Sequence, residues 1–81
     1  MKIQYFADTD TLYINIRDAA SSDSGDLGPD MLADYDEKGA IVALTIEHAS
    51  MHADLGSVDV RDVPHLRLIG RDLTEGIAVG Q

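Results

Sequence analysis

Polar and apolar residues alternate through the first half of the chain in two pairs of short runs. Residues 1–6 place Ile3 and Tyr5 on one side and Lys2 and Gln4 on the other, the period-two pattern of a half-buried strand. Residues 12–17 repeat it, with Leu12, Ile14 and Ile16 on one side and Tyr13, Asn15 and Arg17 on the other. Between the runs, Ala7-Asp8-Thr9-Asp10-Thr11 reads as a turn, because Asp and Thr side chains bond to their own backbone. The two runs predict an antiparallel hairpin. A second hairpin follows. Its strands are residues 30–35 and 40–47, the latter with Val42, Leu44 and Ile46 on one side and Ala43, Thr45 and Glu47 on the other. Asp36-Glu37-Lys38-Gly39 is the turn, with Gly39 free to take a positive φ.

The remaining segments are less regular. Residues 18–29 are rich in Ala, Ser, Asp and Gly and are expected to form a long flexible loop. Residues 48–55 read as a short helix stopped by Gly56. Residues 57–63 alternate loosely through Val58 and Val60, Pro64 breaks any regular element, and residues 65–69 read as a fifth strand. Residues 71–81 are expected to be a weakly structured tail. The fold predicted is a single mainly β (α+β) domain over residues 1–81. It is an antiparallel four-stranded meander of two hairpins, with a short helix and a fifth strand toward the C-terminal end.

Ile3, Tyr5, Leu12, Ile14, Ile16, Val42, Leu44 and Ile46 then share one sheet face. Burying each such side chain contributes roughly 1.5–3 kcal/mol, a gain lost if the face stays wet, so something must cover it. Phe6, Tyr13 and Ile41 interrupt the polar residues of the other face. With 81 residues, the chain is at a size where folding alone is marginal, and a homodimer is the expected way to supply the cover.

Charge narrows the partners. Fifteen Asp and Glu against six Lys and Arg give a net charge of −9. Such a surface repels phosphate backbones, whose binding depends on Lys and Arg, and it repels anionic membranes as well. It suits solubility, a basic protein partner or cations. The absence of cysteine excludes disulfides, thiolate metal sites and cysteine nucleophiles. The first residues lack the apolar stretch of a signal peptide, and no run approaches the ~20 apolar residues of a membrane span. The expectation is a cytoplasmic protein without a cofactor.

Few residues carry the pattern of a reactive site. Asp34-Tyr35-Asp36-Glu37-Lys38-Gly39 starts like a calcium loop, but Lys38 stands where a ligand should be and Thr45 where the bidentate Glu belongs. A hairpin turn accounts for the same residues. His48 and His52 are four apart, with Asp54 nearby. On a helix they would share a face and form a divalent-metal site with an open position, although the His-x-x-x-His spacing lacks the Glu of a zincin motif. Asp8 and Asp10 in one turn and Asp34 and Asp36 in the other would form an acid/base pair only if they met and were buried. Ser21, Ser22 and Ser24 lie outside any nucleophile elbow. Gly25-Asp26-Leu27-Gly28 lacks the Lys-Ser/Thr of a phosphate loop, and His65 reads as a loop residue.

The first fifty residues resemble the bacterial and archaeal family catalogued as domain of unknown function 2283. The likeness is carried by Lys2-Ile3 with Tyr5, by Asp8 and Asp10, and by Leu12-Tyr13-Ile14. It continues in Asp34-Tyr35-Asp36 with Gly39, then Ile41-Val42, Leu44, Ile46-Glu47 and Ala49-Ser50. Phe6 replaces a polar turn residue and Met51 a basic one, and the segment beyond about Leu55 has no counterpart. The resemblance implies a small sheet domain with no assigned activity, so it carries no catalytic residue over to this chain, and some members resemble the small partners of toxin-like proteins. The functional expectation is a protein-interaction module that forms a homo-oligomer and suits the role of acidic, antitoxin-like partner to a basic protein. The alternative is a small-molecule or divalent-metal-binding domain built on His48, His52 and Asp54.

Overall fold

The computed structural model describes residues 1–67, 69, 70 and 77–80. The chain is mainly β, and both expected hairpins are present. β1 (Lys2–Phe6) pairs antiparallel with β2 (Thr11–Asn15), and β4 (Met31–Tyr35) pairs antiparallel with β5 (Ile41–Ile46). The hairpins join through β2 and β5, also antiparallel. A further strand, β3 (Asp23–Gly28), adds to the outside of β4. The sheet is therefore five-stranded, in the order β1-β2-β5-β4-β3. This is wider than the four strands expected, and its order departs from a simple meander because the last strand lies at the centre.

Composition explains why β5 takes the middle. Its sequence, IVALTI, has no charged residue and is suited to burial on both faces. Val42 and Ala43 are both 2% exposed, and Ala33 on the neighbouring β4 is 0% exposed. Register places Leu12 and Ile14 opposite Ile46 and Leu44 on one side of β5, and Met31 and Ala33 opposite the same two residues on the other. With Ile3 and Tyr5 opposite Ile14 and Leu12, one apolar face runs unbroken from β1 to β4. On that face only Ala33 and Val42 are among the fully buried residues described. The face is a half-covered layer, as the alternation implied.

Two local features fix the far end of the sheet. The pairing shifts between Asp34 and Tyr35, which face Ala43 and Ile41 and leave Val42 as the extra residue of a bulge. The Val42 carbonyl accepts the Ile16 amide at 2.8 Å, so the bulge also anchors the exit of β2. In the β4–β5 turn, Gly39 has φ +83°. The Asp36 carboxylate accepts the amides of Lys38 and Ala40, each at 2.9 Å, and pairs with Arg17. The turn chemistry read from the sequence is thus what these acids do.

Four expectations are corrected. The segment 18–29 is not a loop throughout, since Asp23–Gly28 is β3. Its single bulky residue, Leu27, gave no periodic signal, and it pairs as a strand because β4 offers an open edge. The helix expected over 48–55 is a single 3-10 turn, Ala49–Met51. Of the fifth strand expected over 65–69, His65 lies in a turn with φ +56° and position 68 lies outside the described residues. Instead, β6 (Val58–Arg61) pairs in parallel with β7 (Ile77–Gly80) as a separate two-stranded sheet. The tail expected at 71–81 therefore contains a strand, and its positions 71–76 and 81 lie outside the described residues.

Val42 is the largest fully buried side chain among those described. Val42→Ala should lower unfolding stability by about 2 kcal/mol, read from urea denaturation as a lower midpoint with an unchanged slope.

Candidate functional site

The polar side chains that the fold brings together lie at the end of the sheet where β1 turns into β2. Extending the β2–β5 register two residues past Leu12 and Ile46 sets Asp10 opposite His48. Extending the β4–β5 register by one sets Asp30 opposite Glu47. The chain leaving β5 therefore runs between two aspartates. The Asp10 carbonyl accepts the Ala49 amide at 2.8 Å, and the Asp30 carbonyl accepts the Glu47 amide at 2.8 Å.

Each aspartate also binds through its carboxylate. Asp10 Oδ1 accepts the Tyr5 hydroxyl at 2.7 Å and the Ser50 amide at 3.0 Å, while Oδ2 accepts the Ser50 hydroxyl at 2.6 Å. Asp30 Oδ1 lies 3.2 Å from His48 Nδ1, and Oδ2 lies 2.8 Å from His52 Nε2. An ionised carboxylate only accepts, so in neutral rings His48 carries its proton on Nδ1 and His52 on Nε2. Each ring keeps its other nitrogen free to accept.

Asp10 (φ +53°) and His48 (φ +51°) both have left-handed backbone. This region is unfavourable for residues with a Cβ, though Asp, Asn and His enter it more often than others. The bonds around the two aspartates hold both residues there.

These bonds shift ionisation. The Ser50 hydroxyl, and after it the Tyr5 phenol, hold the Asp10 carboxyl below its ordinary value of 3.8. His52, and after it His48, do the same for Asp30. The Tyr5 phenol is raised, chiefly because it donates to Asp10. Both carboxylates are ionised at neutral pH, and neither is an acid that could donate a proton in a reaction.

Some sequence expectations meet here and others do not. His48 and His52 do come together, but around Asp30; no hydrogen bond or ion pair of the described residues joins Asp54 to either ring. The two rings take opposite oxygens of one carboxylate. No group of three or more His, Asp or Glu placed to hold a metal ion occurs among the described residues. The carboxylate pair imagined between the two turns does not form, because Asp8 and Asp10 lie at one end of the sheet and Asp34 and Asp36 near the other. A shallow depression of about 200 Å³ adjoins the cluster, with Met31, Ile46, Leu27 and Pro29 in its wall and His52 beside them. Its two polar side chains, Asp30 and His52, are already bonded to each other.

Asp30 and Ser50 were missed as partners because their contacts span 18 to 40 residues of sequence. Only the strand register, not local spacing, reveals them.

The cluster is a structural clasp with an acid-sensitive fastening. A carboxyl whose value is lowered on folding adds stability above its unfolded value, and that stability is lost as pH falls through the lower folded value. Wild-type stability should therefore drop as pH falls below about 4. Asp10→Asn should flatten that drop while lowering stability at pH 7, as measured by urea midpoints across the pH series.

No curated protein matches the chain, and no solved structure does. No helix of the described residues is long and apolar enough to cross a membrane. The model of a family described as protein of unknown function (DUF2283) matches residues 2–50, the span that holds the five-stranded sheet and the whole Asp10 cluster, with His52 of the Asp30 cluster just beyond it. By that match, covering more than half of its length, the chain belongs to the DUF2283 family.

Proposed function

We propose that the chain is a protein-interaction module that associates with a second copy of itself and offers its acidic surface to a basic protein. The observation that carries this reading is the separation of exposed apolar surface from acidic surface. β1 and β2 contain no Asp or Glu. Met1, Ile3, Tyr5 and Phe6 nevertheless remain 85%, 54%, 42% and 41% exposed, and Ile16 just beyond β2 is 40% exposed. Asp8 and Asp10 lie in the turn that joins these two strands and Asp18 lies beyond Ile16, while the other acids include Asp23 and Asp26 in β3, Asp34 in β4, Glu37 in the far turn and Asp59 in β6.

The physical argument is one of cost. Two chains that each carry −9 repel, so self-association favours the surface with the fewest acids and the most apolar area. β1 and β2 themselves carry no acid and hold a contiguous group of exposed apolar residues. Removing several half-exposed Ile and Tyr side chains from water yields about 25 cal/mol per Å², which works against the repulsion. The acidic side is left facing outward, where a basic surface is attracted over roughly a Debye length, about 8 Å at physiological salt. The apolar cluster would also serve a small domain that cannot bury all of its apolar residues alone.

Salt separates the two contacts. Sedimentation from about 1 μM to about 1 mM should show a reversible monomer–dimer equilibrium that added salt leaves unchanged or tightens, since it screens like charges. A complex with a basic protein should weaken under the same addition. A monomer at every concentration and salt level rejects self-association.

A further inference from the structure

Among the described residues the five-stranded sheet has two edges with no further strand paired to them, and they differ. β3 carries the devices that keep an edge from pairing: two aspartates, two glycines and a register shift between Asp26 and Gly28. β1 has one such device, the Lys2 charge at its start, and no other. It is regular over all five residues, contains no Gly, Pro or acid, and pairs with β2 without a shift. Lys2 is its one charge.

Exposure follows the same asymmetry. All five residues of β1 are exposed, whereas all of β2 is half-buried and β5 and β4 contain buried residues. The apolar side chains of β1 also point both ways. Ile3 and Tyr5 lie on the face shared with Leu12 and Ile14, and Phe6 lies on the opposite one beside Thr11. A layer stacked on one face would leave Phe6 wet. A strand added at the edge flanks both sides.

We infer that the self-association proposed above runs through this edge: β1 of one chain pairs antiparallel with β1 of a second copy, with Gln4 on the two-fold axis. This pairing sets Ile3 opposite the partner's Tyr5 and Lys2 opposite the partner's Phe6, so like faces meet. Aromatic residues opposite β-branched ones are favourable cross-strand pairs. Sliding the register by one would set Ile3 against the partner's Gln4 and reverse the faces. The occupant is a second copy because the edge is apolar and acid-free. A basic partner would gain nothing from charge here and would be drawn to the β3 side. The result is a continuous ten-stranded sheet with both apolar faces on one side. Its seam of five residues per chain is smaller than the ~800 Å² per partner of a standard interface, so a weak, micromolar dimer is expected.

The inference rests on self-association, and two measurements keep the two claims apart. The first is amide hydrogen exchange of the unmodified chain at low and high concentration. Alternate β1 amides, those facing away from β2, should slow by about tenfold or more in the dimer, while β3 amides stay unchanged. The second uses the absence of cysteine from the chain. Opposed residues of an antiparallel pair have Cα atoms about 4.5–5.5 Å apart, within the span of a disulfide, about 4.4–6.8 Å. Gln4→Cys should oxidise to a covalent dimer, and Ser24→Cys on β3 should remain a thiol. Equal cross-linking of both variants, or of neither, overturns the seam. So does a sedimenting dimer whose β1 amides exchange as fast as the monomer's, although self-association then stands. A monomer at all concentrations overturns both.

Discussion

The pairing of β5 on both of its sides holds the rest of the fold in place. β5 is formed last of the five strands in sequence and yet sits between the two earlier hairpin elements, β2 and β4. Every other placement depends on its two registers. They align Leu12 and Ile14 with Ile46 and Leu44, and these with Met31 and Ala33, so a shift of one residue in either ladder would turn the apolar face inside out. The small residues Ala33 and Ala43 and the bulged Val42 fill the centre, where larger side chains on both faces would force the strands apart. The same registers carry the chain leaving β5 between Asp10 and Asp30. The clasp at that end is therefore a consequence of the ladder, and the ladder is in turn kept from fraying by the clasp.

The alternation of Ile3, Tyr5, Leu12, Ile14, Leu44 and Ile46 was enough to find both hairpins, because each buries one side and wets the other. The turn residues Asp36 and Gly39 were legible for an equally local reason: the bonds that shape the turn lie within four residues of each. What was not legible is what depends on pairing rather than on side chains. β3 has the composition of a loop and becomes a strand because β4 has a free ladder of amides and carbonyls. Gly25 within it lies beneath the Tyr35 ring, where even an added Cβ would only reach 3.7 Å from Cε2. The order of strands was hidden for a similar cause, since both a meander and the observed order bury the same residues.

The candidate site repeats that lesson at the level of single groups. His48 and His52 were visible as a pair from their spacing alone, but the acid between them was not Asp54, the nearer in sequence. It is Asp30, brought in by the β4–β5 register. Tyr5, Asp10 and Ser50 were each conspicuous within the family pattern, yet their mutual bonds needed the β2–β5 register to be seen. The Asp10 carboxylate takes donors from two segments, Tyr5 of β1 and Ser50 of the 3-10 turn, and the Asp30 carboxylate holds two rings of the segment after β5, His48 and His52. Groups so engaged hold backbone in place. This accounts for two non-glycine residues, Asp10 and His48, keeping a left-handed conformation beside one short 3-10 turn.

Charge placement ties the sheet's interior to its surroundings. Acids are absent from β1, β2 and β5 and present in β3 and β4. In β5 the absence is required by burial, for an unpaired carboxylate there would cost several kcal/mol. In β1 burial within the chain does not require it, since all five residues are exposed. An exposed strand of a chain with fifteen acids has every solubility reason to carry some, and the other edge does. β1 thus lacks the acids of the other edge strand and carries three large apolar residues in an edge position. A second copy paired along it removes the contradiction, because the edge then becomes the middle of a larger sheet.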